Sequence, residues 1–181
     1  MKNRTLFFAL SALGLTLGSV PLSGCSYLRA REARAAYTEY QDAMAAADMP
    51  RARRALIKLV RADEDVADYW VELGKLQIQM GDYRGAYDAF SHAHELNRSN
   101  VQVLAALTQI ALLAGQTDVA YEHARSLALV APDNPVVTLV NGTVAFKSRD
   151  FDKANPAADR LLVAAPNDPF AKVLKARVLI A

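Results

Sequence analysis

The sequence predicts an all-α protein, an α-solenoid in which helix-turn-helix units stack one on another. Three observations support this fold class. Apolar residues recur at helical spacing, a Gly81-Asp82 break divides them into two stripes within residues 67–100, and the pattern returns when the sequence is shifted so that Trp70 falls on Leu104. Neither helix of one unit can bury its apolar stripe alone, so each unit needs the next one packed against it.

The unit at 67–100 carries the pattern most clearly. It resembles a tetratricopeptide repeat (TPR), whose 34-residue pattern is W-x2-L-G-x2-Y, then A-x3-F, then P. The residues that match are Trp70, Leu73, Gly74, Gly81, Ala86, Phe90 and Ala93. The sequence departs from the family at Gln77, where the family has tyrosine, and at Arg98, where it has proline. The resemblance implies a right-handed α-solenoid of TPR helix-turn-helix repeats.

The repeat array is predicted to occupy residues 33–181. Successive units align at intervals of one repeat length without insertion or deletion. The first unit matches the repeat pattern least well, but its Asp48 can cap a helix that has Pro50 in its first turn. The predicted units are 33–66, 67–100, 101–134 and 135–168, followed by a half-unit at 169–181.

Two features of the C-terminal part depart from a regular array. Asn155-Pro156 falls inside a predicted helix, which is therefore expected to start late, near Asp152, or to bend. The chain ends on the apolar residues 178–181, whereas a solenoid usually ends on a helix with a polar outer face. We expect this chain to be an N-terminal piece of a longer repeat protein. The alternatives are that the last helix is a half-repeat cap, or that its apolar edge is a dimer contact.

Residues 1–24 are predicted to be a signal peptide. Lys2 and Arg4 precede an apolar run at 6–17, and small residues follow it. The sequence Leu22-Ser23-Gly24-Cys25 resembles the lipobox of bacterial lipoproteins, which implies cleavage between Gly24 and Cys25 and lipidation of Cys25. The alternative is an uncleaved membrane anchor, but the run is at the short end for a span of ~20 residues.

Residues 25–32 are predicted to be the lipid-anchored N-terminal segment. In Gram-negative lipoproteins the residue after the cysteine influences sorting, and Ser26 is not the aspartate associated with inner-membrane retention. The resemblance therefore implies a protein of the bacterial envelope, anchored in the outer membrane and facing the periplasm. Arg29, Arg31 and Arg34 would lie near anionic headgroups, or they form a solvated helix face.

The charge of the chain bears on nucleic-acid binding, and its cysteine content bears on disulfide bonds. Loss of Lys2 and Arg4 with the leader reduces the 21 basic residues to 19, which equals the 19 acidic ones. A formally neutral mature chain gives no electrostatic argument for binding nucleic acid. Cys25 is the only cysteine, so the chain has no internal disulfide framework.

Motifs for catalysis or metal binding are missing from the sequence. It has no Gly-rich phosphate loop, no H-E-x-x-H and no G-x-S-x-G element. His92 and His94 are two residues apart, so a helix points them to different faces, and His123 stands alone in another unit. We expect the three histidines to lie on the surface or at the edge of a groove. We expect five carboxylates to cap helices, namely those of Asp48, Asp82, Asp118, Asp150 and Asp152. We expect no metal, no cofactor and no enzymatic activity.

The resemblance predicts a concave groove lined by the first helix of each unit. Its predicted lining is apolar and amide-rich, with few charges, and suits an extended segment or amphipathic helix of a partner protein better than a charged ligand or a small-molecule substrate. The alternative for Val71, Leu112 and Leu139 is that they only pack against neighbours. The predicted groove residues are Tyr37, Gln41, Val71, Lys75, Ile78, Gln102, Gln109, Leu112, Leu139, Thr143, Phe146 and Lys147.

These observations favour a non-catalytic interaction scaffold, tethered to the envelope by lipid. It looks similar to the TPR lipoproteins that assemble pilus, secretion or exopolysaccharide export systems, and the sequence does not choose among them. The alternatives are a docking or regulatory arm of an enzyme whose catalytic domain lies beyond Ala181, and an adaptor for peptidoglycan hydrolases. The oligomeric state is left open.

Overall fold

The computed structural model describes residues 23–181, with side chains from Leu28 onward. This part of the chain folds into nine helices and contains no strand. The helices are α1 (Ser23–Ala45), α2 (Met49–Ala62), α3 (Ala67–Gln79), α4 (Tyr83–Leu96), α5 (Val101–Leu113), α6 (Thr117–Val130), α7 (Pro135–Lys147), α8 (Phe151–Ala164) and α9 (Pro169–Leu179). The predicted all-α fold class is confirmed.

The helices pack in the order in which they follow along the chain. The most extensive contacts join α1 to α2, α3 to α4, α5 to α6 and α7 to α8, and smaller contacts join each pair to the next. In addition, α7 contacts both α5 and α9. Helices α1 and α3 are joined by a hydrogen bond from Tyr40 to Glu72, and Val71 of α3 shares a core cluster with Val103 of α5. We term the surface formed by the first helices of the pairs the first-helix face.

The turn inside each helix pair has the same backbone geometry. Ala47, Gly81, Gly115 and Arg149, which occupy the same position in successive units, have positive φ angles of 54°, 77°, 73° and 59°. The amide of the residue that follows each of them donates to a carbonyl five residues earlier, as Asp82 does to Gln77 at 2.8 Å. Such a turn ends a helix without leaving its last carbonyls unpaired.

Side-chain caps start most of the helices. Asp48, Asp82 and Asp150 accept a hydrogen bond from the backbone amide three residues later and so cap α2, α4 and α8. The prediction that Asp118 and Asp152 also cap helices is wrong, because both lie inside the first turn. There they still interact favourably with the positive end of the helix dipole.

Alanine and glycine allow the two helices of a pair to approach closely. Ala52, Ala86, Ala120 and Ala154 occupy equivalent positions of the second helices, and all four are fully buried. In the second pair, Gly74 faces Phe90, so close that an added Cβ would lie 2.8 Å from the ring. Phe90 is in turn buried among residues of α3, α4 and α5, which links two pairs through one side chain.

For the helix that contains Pro156, the sequence predicts a start near Asp152 or a bend, and the observed start is one residue before Asp152. Helix α8 begins at Phe151, in register with α4 and α6, and Pro156 lies inside it. The cap from Asp150 holds the first turn, since its carboxylate accepts from the amide of Lys153 at 3.3 Å. Proline leaves the carbonyl of Asp152 without its helical donor, and Asp152 is exposed, so water can satisfy it.

The predicted signal peptide lies outside the described residues, except for its last two positions, which belong to α1. Of the helices within 23–181, none combines the length and apolar character that crossing a bilayer requires.

Candidate binding groove

The predicted groove residues differ widely in exposure. Val71 and Leu139 are buried, with 4% and 5% of their surfaces exposed. Six are half-buried: Lys75, Ile78, Gln109, Leu112, Thr143 and Phe146. Four are exposed: Tyr37, Gln41, Gln102 and Lys147. Val71 packs in the core with Phe90 and Val103, as the packing alternative predicts, and Ile78 packs on the same cluster.

Four of these residues come together in one cleft on the first-helix face. Leu112 of α5 and Leu139, Thr143 and Phe146 of α7 line a cavity of about 470 Å³. We call it the C-terminal cleft. The other residues that line it are Tyr83, Leu113, Pro169, Phe170, Val173, Leu174 and Arg177.

The C-terminal cleft is almost entirely apolar. The ring of Phe146 meets that of Phe151 edge-on, with centroids 6.0 Å apart. The hydroxyl of Thr143 donates to the carbonyl of Leu139 at 2.8 Å, so its hydrogen is already used. Arg177 is the one charged side chain in the lining. The cleft therefore offers an apolar binding surface with a single cation at its edge.

Helix α9 contributes residues to the C-terminal cleft that the predicted groove does not include. Phe170, Val173 and Arg177 lie one repeat length after Val136, Leu139 and Thr143. One further step of the repeat would have identified them as groove residues.

A second cleft lies on the same face, between α1 and α3. Its volume is about 720 Å³, and we call it the tyrosine cleft. Tyr37 and Gln41 were predicted groove residues. The complete lining is Tyr37, Tyr40, Gln41, Met44, Asp68, Tyr69 and Glu72.

Tyr69 and Glu72 lie outside the predicted groove positions. They are equivalent to Val103 and Ala106 of the next unit, and those positions face the preceding helix pair. In the unit at 67–100 they line the tyrosine cleft, and Leu174, which is equivalent to Glu72, lines the C-terminal cleft. Tyr40 and Tyr37, three residues apart on α1, share one helix face and were the available signal.

Hydrogen bonds hold Glu72 in the tyrosine cleft. The Tyr40 hydroxyl donates to Glu72 Oε2 at 3.3 Å, and Lys75 Nζ lies 2.8 Å from Oε1. Burial raises the pKa of Tyr40, and the charge and hydrogen bond of Glu72 raise it further, so this phenol is protonated at neutral pH. Asp68 is exposed and pairs with no cation among the described residues. The expectation of few charges therefore fails at this end.

His92 is exposed and has different neighbours from His94, as predicted, but His123 departs from the prediction. His123 does not stand alone, because its Nε2 lies 3.1 Å from the hydroxyl of Tyr87 and its ring lies 6.4 Å from that of His94. Burial lowers the pKa of His123, and the nearby His94 lowers it further. His92 stacks on Trp70 at 4.4 Å. Within residues 23–181 no group of three or more possible ligands could hold a metal ion.

Comparison with known proteins identifies the fold. No family model matches the sequence, and no curated protein sequence matches it either. Among solved structures, a tetratricopeptide repeat protein from Parabacteroides merdae has a TM-score of 0.65 at 16% identity, over 82% of this chain. This chain spans only 59% of the Parabacteroides protein. The fold is a TPR solenoid.

Two other TPR-like structures agree with this assignment. MamA of Desulfovibrio magneticus has a TM-score of 0.67 at 15% identity, over 82% of this chain and 84% of MamA. YrrB, a TPR protein with an unusual peptide-binding site, has a TM-score of 0.64 at 18% identity, over 80% of this chain and 74% of YrrB.

The TPR repeat at 67–100 accommodates its departure from the family pattern at Gln77. This side chain is buried, since only 6% of its surface is exposed. Its amide nitrogen occupies the space in front of Gly85, where an added Cβ would lie 2.5 Å away. Gly85 therefore leaves room for the amide nitrogen of Gln77, whereas the side-chain oxygen of Gln77 is buried without a hydrogen-bond partner.

Proposed function

We propose that this TPR protein is a non-catalytic interaction scaffold, lipid-anchored in the bacterial envelope. It binds a peptide segment or helix of a partner protein on its first-helix face. The partner belongs to an envelope machine for pilus assembly, secretion or exopolysaccharide export. The observation that carries the proposal is the apolar C-terminal cleft, formed by side chains of three successive first helices.

The size and exposure of the C-terminal cleft fit such a ligand. Binding pockets typically have volumes of ~300–1,000 Å³, and this cleft has about 470 Å³. Leu113 and Val173 keep 55% and 50% of their surfaces exposed, although both are apolar. A partner helix with apolar residues at i, i+3 or i+4 and i+7 could cover them. The peptide-binding site of YrrB is consistent with this use of the fold.

The N-terminal segment supports the proposed anchor. The lipobox-like sequence ends at Cys25, and α1 runs without a break from Ser23 to Ala45, where it packs against α2. A lipid on Cys25 would therefore join the solenoid through a continuous helix instead of a flexible linker. Three acyl chains would anchor the protein stably, because each buried CH2 contributes ~0.8 kcal/mol.

A pair of matched substitutions tests the groove. Val173→Asp introduces a charge into the C-terminal cleft, and Val163→Asp introduces the same charge on α8, at a position 84% exposed and outside that cleft. Proteins that co-purify with the full chain from detergent-solubilised envelopes are quantified by mass spectrometry. We expect Val173→Asp to lose the specific partner and Val163→Asp to retain it. Equal recovery with both variants would overturn the proposed groove.

A separate measurement tests the anchor. Cys25→Ser removes the thiol that would carry the lipid, so intact-mass spectrometry of this variant should show neither the added mass of acyl chains nor cleavage between residues 24 and 25. Intact-mass spectrometry of the wild-type protein should show cleavage before Cys25 and the added mass of acyl chains. A wild-type protein of unmodified mass would exclude lipidation whatever the result for the groove.

A further inference from the structure

The tyrosine cleft differs in chemistry from the C-terminal cleft. Three phenol rings surround it, from Tyr37 and Tyr40 on α1 and Tyr69 on α3. The rings of Tyr37 and Tyr40 lie 6.3 Å apart and are inclined by 48°, so they present two differently oriented faces. The face of an aromatic ring carries negative partial charge and attracts cations.

Two carboxylates add to this negative potential. Glu72 is positioned by Tyr40 and partly neutralised by Lys75, whereas Asp68 remains exposed and unpaired among the described residues. No lysine or arginine lines the tyrosine cleft, and the one charge in the lining of the C-terminal cleft is that of Arg177. The lining of the tyrosine cleft is therefore acidic, with Lys75 beside it, whereas the lining of the C-terminal cleft carries one cation at its edge.

We infer that the tyrosine cleft binds a lysine or arginine side chain of the partner segment whose apolar residues occupy the C-terminal cleft. This inference rests on the proposed function and specifies the chemistry of the partner. Exposed carboxylates alone bind cations weakly, but here the rings lie in the same concave site as the carboxylates. An anionic ligand is disfavoured at this end.

A random peptide library displayed on phage provides an unbiased probe. The full chain, purified in detergent, selects peptides, and the enriched sequences are compared with the unselected library. We expect enrichment of a lysine or arginine at a fixed distance from apolar residues. For one enriched peptide, replacement of lysine by norleucine, or of arginine by citrulline, should raise Kd about tenfold. The difference should shrink as salt screens the charges.

The chain offers a closely matched control for the carboxylates. The test variant is Asp68→Asn with Glu72→Gln on α3. The control is Asp118→Asn with Glu122→Gln on α6, which has the same i, i+4 spacing and also begins in the first helical turn. Both variants remove two negative charges, so only the location differs. Thermal unfolding of each variant shows that it is folded before binding is compared.

The outcomes separate this inference from the proposed function. Loss of the preference for basic peptides in the α3 variant but not in the α6 variant supports the inference. Enriched peptides that are apolar without a basic residue would overturn it and leave the proposed groove intact. No enriched peptide at all would overturn both. A dimer in sedimentation experiments that the α3 variant alone dissociates would assign the cleft to a second copy, which also overturns the inference.

Discussion

The contact between Gly74 and Phe90 gives a quantitative test of how tightly the two helices of a TPR unit pack. Gly74→Ala would place a methyl group 2.8 Å from Cζ of Phe90 and 2.9 Å from both Cε atoms. Carbon atoms in good contact are ~3.5–4.0 Å apart, so the ring would have to move by ~0.6–1.2 Å. Only 1% of the surface of Phe90 is exposed, and Val71, Val103 and Leu107 belong to the same cluster.

Two opposing effects set the size of the change. Overpacking of a core typically costs ~1–3 kcal/mol, while alanine is favoured over glycine in a helix by ~1 kcal/mol. We therefore expect Gly74→Ala to destabilise the fold by about 1 kcal/mol, which corresponds to a decrease in Tm of ~2–4 °C for a chain of this size. The assay is thermal unfolding followed by circular dichroism at the helical minimum.

A double-mutant cycle isolates the contact. Phe90→Leu shortens the side chain that the new methyl group would meet, so in this background Gly74→Ala should stabilise the protein by up to ~1 kcal/mol. The expected coupling is then about 2 kcal/mol, well above the scatter of ~0.3–0.5 kcal/mol for independent sites. If Gly74→Ala has the same effect in both backgrounds, the close helix contact is not present.

Three further predictions concern the turns, the caps and the response to pH. Arg149→Gly should stabilise the fold by about 0.5–1 kcal/mol, because Arg149 has a φ of 59° where the equivalent residues 81 and 115 are glycine; a lower melting temperature would refute the assigned turn. Gln116 makes no side-chain cap on α6, so Gln116→Asp should add about 0.5–1 kcal/mol in urea unfolding. An unchanged free energy of unfolding would show that α6 does not start after residue 116. The lowered pKa of His123 means that the unfolded chain binds its proton at higher pH than the folded chain. Stability should therefore fall as pH drops below about 6.5, and His123→Gln should reduce this loss; an unchanged pH dependence would contradict the burial of His123.

The repeat period was enough to predict the architecture. Neighbouring units place Trp70 and its equivalents at constant spacing, and helices α3, α5, α7 and α9 begin at residues 67, 101, 135 and 169. The helix that contains Pro156 depends on two opposing local interactions, the cap at its start and the hydrogen bond that proline removes. The cap from Asp150 keeps α8 in register despite Pro156, and sequence spacing alone does not show that the lost hydrogen bond falls on an exposed turn.

The groove could be predicted only in part, because a shared period does not give equivalent positions equivalent surroundings. Leu112, Leu139, Thr143 and Phe146 do meet in one cleft, since each packs within a regular stack of first helices. Val71 is covered by its neighbours instead. Tyr69 and Glu72 line a cleft with residues of α1, although neither is at a predicted groove position. The proximity of His94 and His123 likewise depends on packing between α4 and α6.

Photo-crosslinking in cells tests most directly whether the first-helix face is the interaction surface. The photoreactive residue p-benzoylphenylalanine is placed at Leu113 or Val173 in the C-terminal cleft, or at Leu129 or Val163, which are exposed on second helices. We predict that the two cleft positions yield the same discrete crosslinked partner and that the two second-helix positions do not. A partner crosslinked only from Leu129 or Val163 would contradict the account.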